Sequence, residues 1–263
     1  MTIIREFQDY DGIFSFDTKL DDQSTYEASH IAALEKGEKT HFWFELRREK
    51  ILKTFRTFVS KEETILEIGG GTGFIAEKLL AEGYFLELAD IHSSALHLAK
   101  KRGIQSLYQF DLYCPPFKER YDVICLFDVL EHCHDDIKAL HALKKMLKPG
   151  GKLIFTVPAH QWLWSYDDVL AGHTKRYTKK TLAKIFKEAG LHPYYSRYFF
   201  IFILPFLYLR TWIRKKGQKT KELNFSLPLW LNRFFRKLTE MEFLLDPFIP
   251  NFAGGSLLAI AKK

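Results

Sequence analysis

The sequence predicts an α/β protein built on a doubly wound parallel sheet, and three observations support this prediction. Short apolar segments alternate with amphipathic ones between residues 64 and 191. Glycines such as Gly83 and Gly190 close the amphipathic segments, as they close many helices. A glycine-rich turn, EIGGGTG, follows the first apolar segment. Alternation of this kind is typical of parallel strands with helices on both faces of the sheet.

The composition is that of a globular protein of one elaborated domain. The 263 residues are 47% hydrophobic and 27% charged, and the net charge is +7. This charge is compatible with an anionic membrane surface, but no arginine-rich tail or RNA-binding signature accompanies it, so we expect no nucleic-acid partner. Three cysteines without a CxxC pair indicate reduced thiols and a cytoplasmic protein. Acidic residues in MTIIREFQDYDG argue against a signal peptide.

Each predicted element follows from its apolar spacing and its end signals. Helices show apolar residues three and four positions apart, whereas strands are short apolar runs. We expect helices over 41–59, 72–83, 92–103, 135–151, 178–190 and 226–247, and strands over 64–69, 84–90, 106–111, 121–130, 152–159 and 254–263.

The glycine turn predicts a nucleotide-like ligand, because glycine leaves the backbone open beside the crevice of a doubly wound sheet. A nicotinamide cofactor needs G-x-G-x-x-G/A and a later acid, and Gly71, Gly73, Ala76 and Asp90 fit this spacing loosely. S-adenosylmethionine instead carries a charged amine, which Glu67 at the end of the first strand can hold. Asp90 would accept hydrogen bonds from ribose hydroxyls in either case.

Four ordered motifs resemble those of class I S-adenosylmethionine-dependent methyltransferases of the type 11/type 12-like branch. E-x-G-x-G-x-G is similar to the first motif, and Asp111 stands where the family's acid meets the adenine amino group. CPPFKERYDVICLFDVLEH and LKPGGKLIFTVP resemble the later motifs. The resemblance implies methyl transfer rather than dehydrogenation. It also implies a Rossmann-like sheet of seven strands with an antiparallel last strand.

The same resemblance implies a donor site and a division of the chain. The residues implied to bind S-adenosyl-L-methionine follow the first four strands and are Glu67, Gly69, Gly70, Gly71, Gly73, Asp90, Ile91, Asp111, Leu112 and Phe127. The expected units are an N-terminal helical lid (1–60), the methyltransferase core (61–197), a helical insert (198–250) and the final strand of the core (251–263).

Candidate catalytic residues follow the fourth and fifth strands. Methyl transfer is an in-line displacement, and a base is needed only when the acceptor carries a proton, as a hydroxyl does. We expect His160 and His173 to flank an acceptor pocket, with His132 and Asp128 beside the donor. An alternative is that His173 only fastens its loop. The run EHCHDD invites a metal interpretation, but adjacent residues rarely converge on one ion, so we expect no metal.

Two segments allow more than one interpretation. The helix opened by His41, Trp43 and Phe44 is either a lid over the donor or a helix packed on the sheet edge. The uncharged run 198–209, followed by basic residues up to Lys221, is too short to span a bilayer. It predicts peripheral contact with an anionic membrane, a buried cap or a dimer contact. We therefore expect a small or lipid-linked acceptor, with O-methylation favoured, and a monomer or homodimer.

Overall fold

The computed structural model describes residues 3–16, 29–216 and 227–263. Nine strands of this part of the chain form one mixed sheet, as the doubly wound pattern predicts. The strands are β1 (Gln8–Tyr10), β2 (Ile13–Ser15), β3 (Ile65–Ile68), β4 (Leu86–Asp90), β5 (Leu107–Gln109), β6 (Tyr121–Phe127), β7 (Leu147–Pro158), β8 (His192–Phe199) and β9 (Ser256–Lys262). The helices are α1 (Ser29–Thr40), α2 (Phe42–Phe58), α3 (Phe74–Ala81), α4 (Ser93–Lys101), α5 (Asp136–Met146), α6 (Tyr166–Leu170), α7 (Lys179–Glu188), α8 (Leu204–Lys216) and α9 (Leu229–Leu245).

The strand order is β1-β2-β5-β4-β3-β6-β7-β9-β8. The six strands from β2 to β7 in this order pair in parallel, and β9 lies antiparallel between β7 and β8. The expectation of a Rossmann-like fold with an antiparallel last strand is thus confirmed. The carboxyl ends of β3, β4 and β6 come together at one edge, where ligands bind in such sheets.

The expected number of seven strands is wrong, because the N-terminal segment adds a hairpin to the sheet. Residues 8–15, which we assigned to a helical lid, form β1 and β2. Ile13 pairs with Leu107 on β5, and the Ser15 hydroxyl donates a hydrogen bond of 3.1 Å to the side chain of Gln109. Three-residue strands are too short to show a period, so only the pairing with β5 identifies them.

Alternate residues of each central strand face opposite layers of helices. On β6, Ile124 and Leu126 join one buried cluster, whereas Val123 and Cys125 join the other. This alternation is the period of two that a strand imposes on its side chains. Burial on both faces explains why the central strands read as continuous apolar runs.

Helix α2 is both a core helix and a wall of the crevice. His41 caps it, since its Nδ1 accepts a hydrogen bond of 3.2 Å from the Trp43 backbone N–H. Ile51, Leu52 and Phe55 further along the helix are fully buried in the core. The two interpretations of this helix therefore apply to different turns of it.

A buried ionic cluster fastens the insert between β8 and β9 to the core. Asp246 follows α9, and its carboxylate accepts a hydrogen bond of 2.6 Å from Lys50 on α2 and another of 2.6 Å from Arg197 on β8. Helix α9 also packs along α2. Strand β8 itself was not predicted, because its exposed half, HPYY, carries no apolar period. No helix within the described ranges is long and apolar enough to cross a bilayer.

Replacement of Asp246 by Ala should lower the free energy of unfolding by about 3 kcal/mol, because Lys50 and Arg197 would keep buried charges without their partner. Chemical denaturation measures this change. The control Glu240→Ala removes only the exposed pair with Arg236 on α9 and should cost less than about 0.5 kcal/mol. Equal losses in the two variants would contradict the buried-cluster account.

Candidate active site

A cavity of about 970 Å³ lies at the carboxyl ends of the central strands. Its floor is formed by the turns after β3, β4 and β6, and its walls by α1, the first turns of α2, α8 and α9. One end of the cavity therefore meets the glycine turn, and the other meets the loops after β6 and β7. These two regions are called the donor end and the acceptor end below.

The glycines of the turn serve packing more than ligand approach. A Cβ at Gly70 would come within 2.6 Å of Leu88, and one at Gly73 within 2.7 Å of Ile104. At Gly69, a Cβ would overlap Val129. Only Gly71, whose nearest contact would be Leu34 at 3.6 Å, presents an open face to the cavity. Gly69 lines the cavity through its backbone, whereas Gly73 is not among the lining residues.

Glu67 is a buried acid at the donor end. Its side chain is only 2% exposed, and Oε2 accepts no hydrogen bond from the described residues. Burial raises the pKa of Glu67 to about 8, although the Arg47 guanidinium opposes this shift. The carboxyl group can therefore gain a great deal from a cation placed beside it.

Two further acids border the donor end. Asp90 accepts hydrogen bonds from the backbone N–H groups of Gly71 (2.8 Å) and His92 (2.9 Å), so it holds the turns after β3 and β4 together. Asp111 accepts one of 2.9 Å from the N–H of Tyr113. Both acids line the cavity, and the other donor-site candidates that line it are Glu67, Gly69, Gly70, Gly71, Ile91, Leu112 and Phe127.

An ion pair between Arg47 and Asp128 crosses from α2 to the end of β6. The guanidinium carbon of Arg47 lies 4.6 Å from the centre of the Trp43 ring, and the side chain is nearly buried. Asp128 has a φ of 58°, an uncommon conformation for a non-glycine residue, and Thr156 donates a hydrogen bond of 3.2 Å to it. Arg47 follows Trp43 by one helical turn, and this spacing is the local signal that the two side chains share a face of α2.

A hydrogen-bonded His–Asp–Arg cluster occupies the acceptor end. His173 Nδ1 lies 2.8 Å from Asp168 Oδ1, and Arg176 donates hydrogen bonds of 2.8 and 3.0 Å to the two oxygens of the same carboxylate. Burial opposes ionisation of Asp168, but the hydrogen bond from His173 and the Arg176 guanidinium outweigh it and lower the pKa of this carboxyl group. His173 thus fastens its loop through Asp168 and also lines the cavity, so the two roles are compatible.

Glu131 and His132 lie against His173. Glu131 is fully buried, and neither carboxylate oxygen has a hydrogen-bond partner in the described part of the chain. Burial and the charge of Asp128 raise the pKa of Glu131 well above its usual range. Burial, and then the charge of His173, lowers the pKa of His132 to about 4. At neutral pH His132 is therefore uncharged.

These three side chains have the geometry of a possible metal site. One ligand atom from each of Glu131, His132 and His173 lies within 4.8 Å of the others. We judged the EHCHDD run on its own and expected no metal. The third ligand, His173, comes from a loop about forty residues further along the chain, so the sequence did not connect it with the other two.

His160 is not placed among the lining residues. It follows β7 with a φ of 58°, and its ring stacks on Tyr198 with centres 4.7 Å apart. Trp162 lies against the same ring. The left-handed backbone turns the side chain away from the cavity, so its position gives no support to the catalytic role expected for it.

Comparison with protein families gives the decisive observation. A family model described as a methyltransferase domain matches residues 40–195, which is more than half of the chain. The chain belongs to the class I S-adenosylmethionine-dependent methyltransferases. The expectations of an enzyme of this family, with S-adenosyl-L-methionine as its cofactor, are thereby confirmed.

Curated relatives of this methyltransferase cover part of it. It is 29% identical over 99 residues to the ubiquinone biosynthesis O-methyltransferase of Klebsiella pneumoniae strain 342, an alignment that spans 35% of this chain and 41% of the relative. The enzyme of the same description from Hydrogenovibrio crunogenus is 28% identical over 116 residues, which span 41% and 47%. The match therefore covers less than half of these relatives.

Solved structures share the fold at low identity. A Thermotoga maritima protein, described as a possible histamine N-methyltransferase, superimposes with a TM-score of 0.57 at 15% identity, over 89% of this chain and 97% of the other. Phosphoethanolamine N-methyltransferase 2 of Haemonchus contortus, solved with S-adenosyl-L-methionine, gives 0.61 at 17% identity, over 94% and 60%. This similarity concerns the fold alone.

The donor end of this methyltransferase fits the cofactor of its family. S-adenosylmethionine carries an ammonium group and a sulfonium, and the buried Glu67 carboxyl lacks a partner for Oε2. Gly71 leaves an open face of the turn, and Asp90 and Asp111 offer acceptors for hydroxyl and amino groups. The cavity is large enough to hold the donor and an acceptor together.

Two similar substitutions in the glycine turn, Gly69→Ala and Gly71→Ala, should differ in their effect on the free energy of unfolding. Both Gly69 and Gly71 have positive φ, at 66° and 54°, so Ala is strained at either. Only Gly69→Ala also places a Cβ against the stiff, β-branched Val129. Gly69→Ala should therefore reduce the free energy of unfolding by about 1–3 kcal/mol more than Gly71→Ala. Thermal melts measure the difference, and equal stabilities would contradict the packing role.

Proposed function

We propose that this methyltransferase transfers a methyl group from S-adenosylmethionine to the hydroxyl oxygen of a small or lipid-linked acceptor. The observation that carries a base-assisted transfer is the His173–Asp168 pair, because only an acceptor that carries a proton at neutral pH needs a base. The choice of oxygen over nitrogen is supported by the similarity to enzymes described as O-methyltransferases.

Residues of the donor end would hold the cofactor. Glu67 pairs with the ammonium group, Asp90 accepts from the ribose hydroxyls and Asp111 accepts from the adenine amino group, while Gly71 provides the open backbone. When bound, S-adenosylmethionine supplies an electrophilic methyl group on a positively charged sulfur. Gly70, Ile91, Leu112 and Phe127 give the apolar or backbone surfaces around these polar contacts.

His173 would act as the base at the acceptor end. The Asp168 carboxylate holds Nδ1, which fixes the tautomer with a lone pair on Nε2. The acceptor hydroxyl would give its proton to Nε2, and the bound donor would supply the methyl group, its methyl–sulfur bond breaking as the oxygen–methyl bond forms. The developing imidazolium is then stabilised by the negative charge of Asp168. Glu131 and His132 shape this end of the cavity, where burial raises the pKa of Glu131 and lowers that of His132 and so favours the neutral form of each.

The first turns of α2 would act as the wall that excludes water. Trp43, Phe44 and Arg47 all line the cavity, and the Arg47–Asp128 ion pair joins this wall to the end of β6. Exclusion of water protects the reactive donor from hydrolysis and strengthens electrostatic interactions inside the cavity. Asp128 is therefore a positioning residue rather than a base, because its carboxylate is committed to Arg47 and Thr156.

The alternative is that the acceptor end binds a divalent cation, since Glu131, His132 and His173 have suitable ligand atoms. A bound cation would lower the pKa of the acceptor hydroxyl directly. Elemental analysis of the purified protein, together with the rate before and after EDTA treatment, distinguishes the two. Loss of activity with EDTA and recovery with Mg²⁺ or Zn²⁺ would mean that the cation, and not His173 as a base, activates the acceptor hydroxyl.

Binding of the donor should release about one proton from Glu67 between pH 6 and 7. The pKa of this group is about 8 in the free protein, so it is protonated there, and a neighbouring ammonium group lowers the pKa. Calorimetry in buffers of different ionisation enthalpy measures the release. Glu67→Gln should abolish it and Glu77→Gln, on the exposed face of α3, should not. A wild-type protein that releases no proton would contradict the assignment.

Replacement of His173 by Ala should lower kcat by 10²- to 10⁴-fold, the usual contribution of a general base, and leave the donor Kd within about twofold. The acceptor is first identified by mass spectrometry of lipid extracts incubated with isotopically labelled donor. His192→Ala, an exposed histidine on β8, is the matched control. A labelled methyl group on nitrogen or carbon, or an unchanged kcat, would contradict the proposed O-methyl transfer.

A further inference from the structure

Helix α9 has two apolar faces, and the described residues cover only one of them. Its inner face carries Leu231, Phe235, Leu238 and Phe243, which pack on the core or line the cavity. A helix that is apolar all round is normally buried all round. The outer face of α9 is instead exposed, so it calls for a separate explanation.

The large apolar residues of the outer face form a stripe rather than scattered positions. On α9 they are Trp230, Phe234, Met241, Leu244 and Leu245. Their spacings of four, seven, three and one residues place them within about one third of the helical circumference. The short 3-10 turn that follows adds Phe248 near the same end. We name this surface the outer stripe, and it consists of Trp230, Phe234, Met241, Leu244, Leu245 and Phe248.

The exposure of the outer stripe is unusually high for large apolar side chains. Trp230 is 71% exposed, Leu244 79% and Phe248 83%. Helix α8 adds exposed Tyr208, Leu209 and Trp212, of which Trp212 lies about one turn after the adjacent pair. Contiguous apolar surfaces of this kind mark sites of interaction, whereas isolated exposed residues do not.

Positive charge flanks the outer stripe. Arg233, Arg236 and Lys237 are exposed on α9. Lys237 follows Trp230 by seven residues and so lies within the outer stripe, whereas Arg233 and Arg236 lie beside it. Arg236 is paired with Glu45 and Glu240, so Arg233 and Lys237 supply most of the positive charge of this surface. Apolar residues with Trp at the margin and basic residues alongside are the composition that binds an anionic bilayer surface.

The cavity opens beside this surface. Phe206 and Leu209 on α8 line the cavity and are also exposed, at 42% and 52%. The ring of Phe206 contacts Phe234 of the outer stripe, with centres 5.9 Å apart. The place where α8 meets α9 is therefore shared by the cavity mouth and the exposed apolar surface.

We propose that the outer stripe and the exposed side of α8 bind the surface of an anionic lipid bilayer. The cavity mouth at Phe206 and Leu209 then faces the lipid, so an apolar acceptor reaches the acceptor end without crossing water. The second statement rests on the proposed methyl transfer, whereas bilayer binding does not. Lys219 and Lys221, which the sequence also suggested for this contact, lie outside the described residues.

Sedimentation with vesicles tests the bilayer contact. Full-length protein should bind vesicles of phosphatidylcholine with 30 mol% phosphatidylglycerol at least tenfold more strongly than pure phosphatidylcholine vesicles, and 0.5 M salt should remove most of this difference. The double variant Leu244→Glu/Phe248→Glu should reduce binding at least tenfold. Phe85→Glu, a substitution at a 66% exposed aromatic residue outside the insert, should leave it within about twofold.

Three further measurements separate the possible outcomes. Thermal melts and donor calorimetry should be unchanged in the double variant, because neither residue lines the cavity. Unchanged vesicle binding in that variant would overturn the proposal, as would a wild-type protein that ignores both kinds of vesicle. Conversion of a dimer into a monomer by the double variant, without loss of vesicle binding, would assign the outer stripe to a second copy of the chain. Failure of donor binding in the wild type would instead contradict the proposed function and leave the vesicle result standing.

Discussion

An excess of carboxyl groups over cations at the donor end is the constraint on which this site depends. Glu67, Asp90 and Asp111 border the same end of the cavity, and the nearest cation, Arg47, is already paired with Asp128. Burial makes an uncompensated carboxylate expensive, so Glu67 keeps its proton in the free protein. A ligand that brings positive charge relieves this cost, whereas a pyrophosphate would increase it. The same constraint therefore separates a sulfonium nucleoside from a dinucleotide, two ligands that the glycine spacing alone does not distinguish.

At the acceptor end, by contrast, a buried carboxylate has cationic and hydrogen-bonding partners. Asp168 is buried and keeps its charge, because Arg176 and His173 donate to both of its oxygens. Glu131 has no such donors, and burial raises its pKa. The pKa values of two buried acids that lie near the same histidine are thus shifted in opposite directions, as a consequence of their hydrogen bonds. The hydrogen bond to Asp168 also fixes the orientation of His173.

The sheet and the helices around it enclose different ends of the cavity. The sheet and the turns after its strands hold the donor end, and Gly69, Gly70 and Gly73 are fixed there by close packing. The acceptor end is closed by α2, α8 and α9, which the buried cluster around Asp246 ties to the core. Since α8 and α9 also carry the exposed apolar surface, one insert both closes the cavity and presents it to its surroundings.

The sequence by itself determined the alternation of strands and helices and the grouping of three acids at one edge of the sheet. Short apolar runs, glycine stops and an acid after each strand are local signals, so Glu67, Asp90 and Asp111 could be assigned to one edge of a parallel sheet. It did not reveal the hairpin at residues 8–15 or strand β8, whose pairing depends on distant partners. Only the tertiary structure decided that His173 meets Glu131 and Asp168, that Arg47 faces inward and that His160 does not line the cavity. These three positions depend on contacts between loops or helices far apart in the chain, or on a single backbone angle. Such contacts and angles produce no periodic pattern in the sequence.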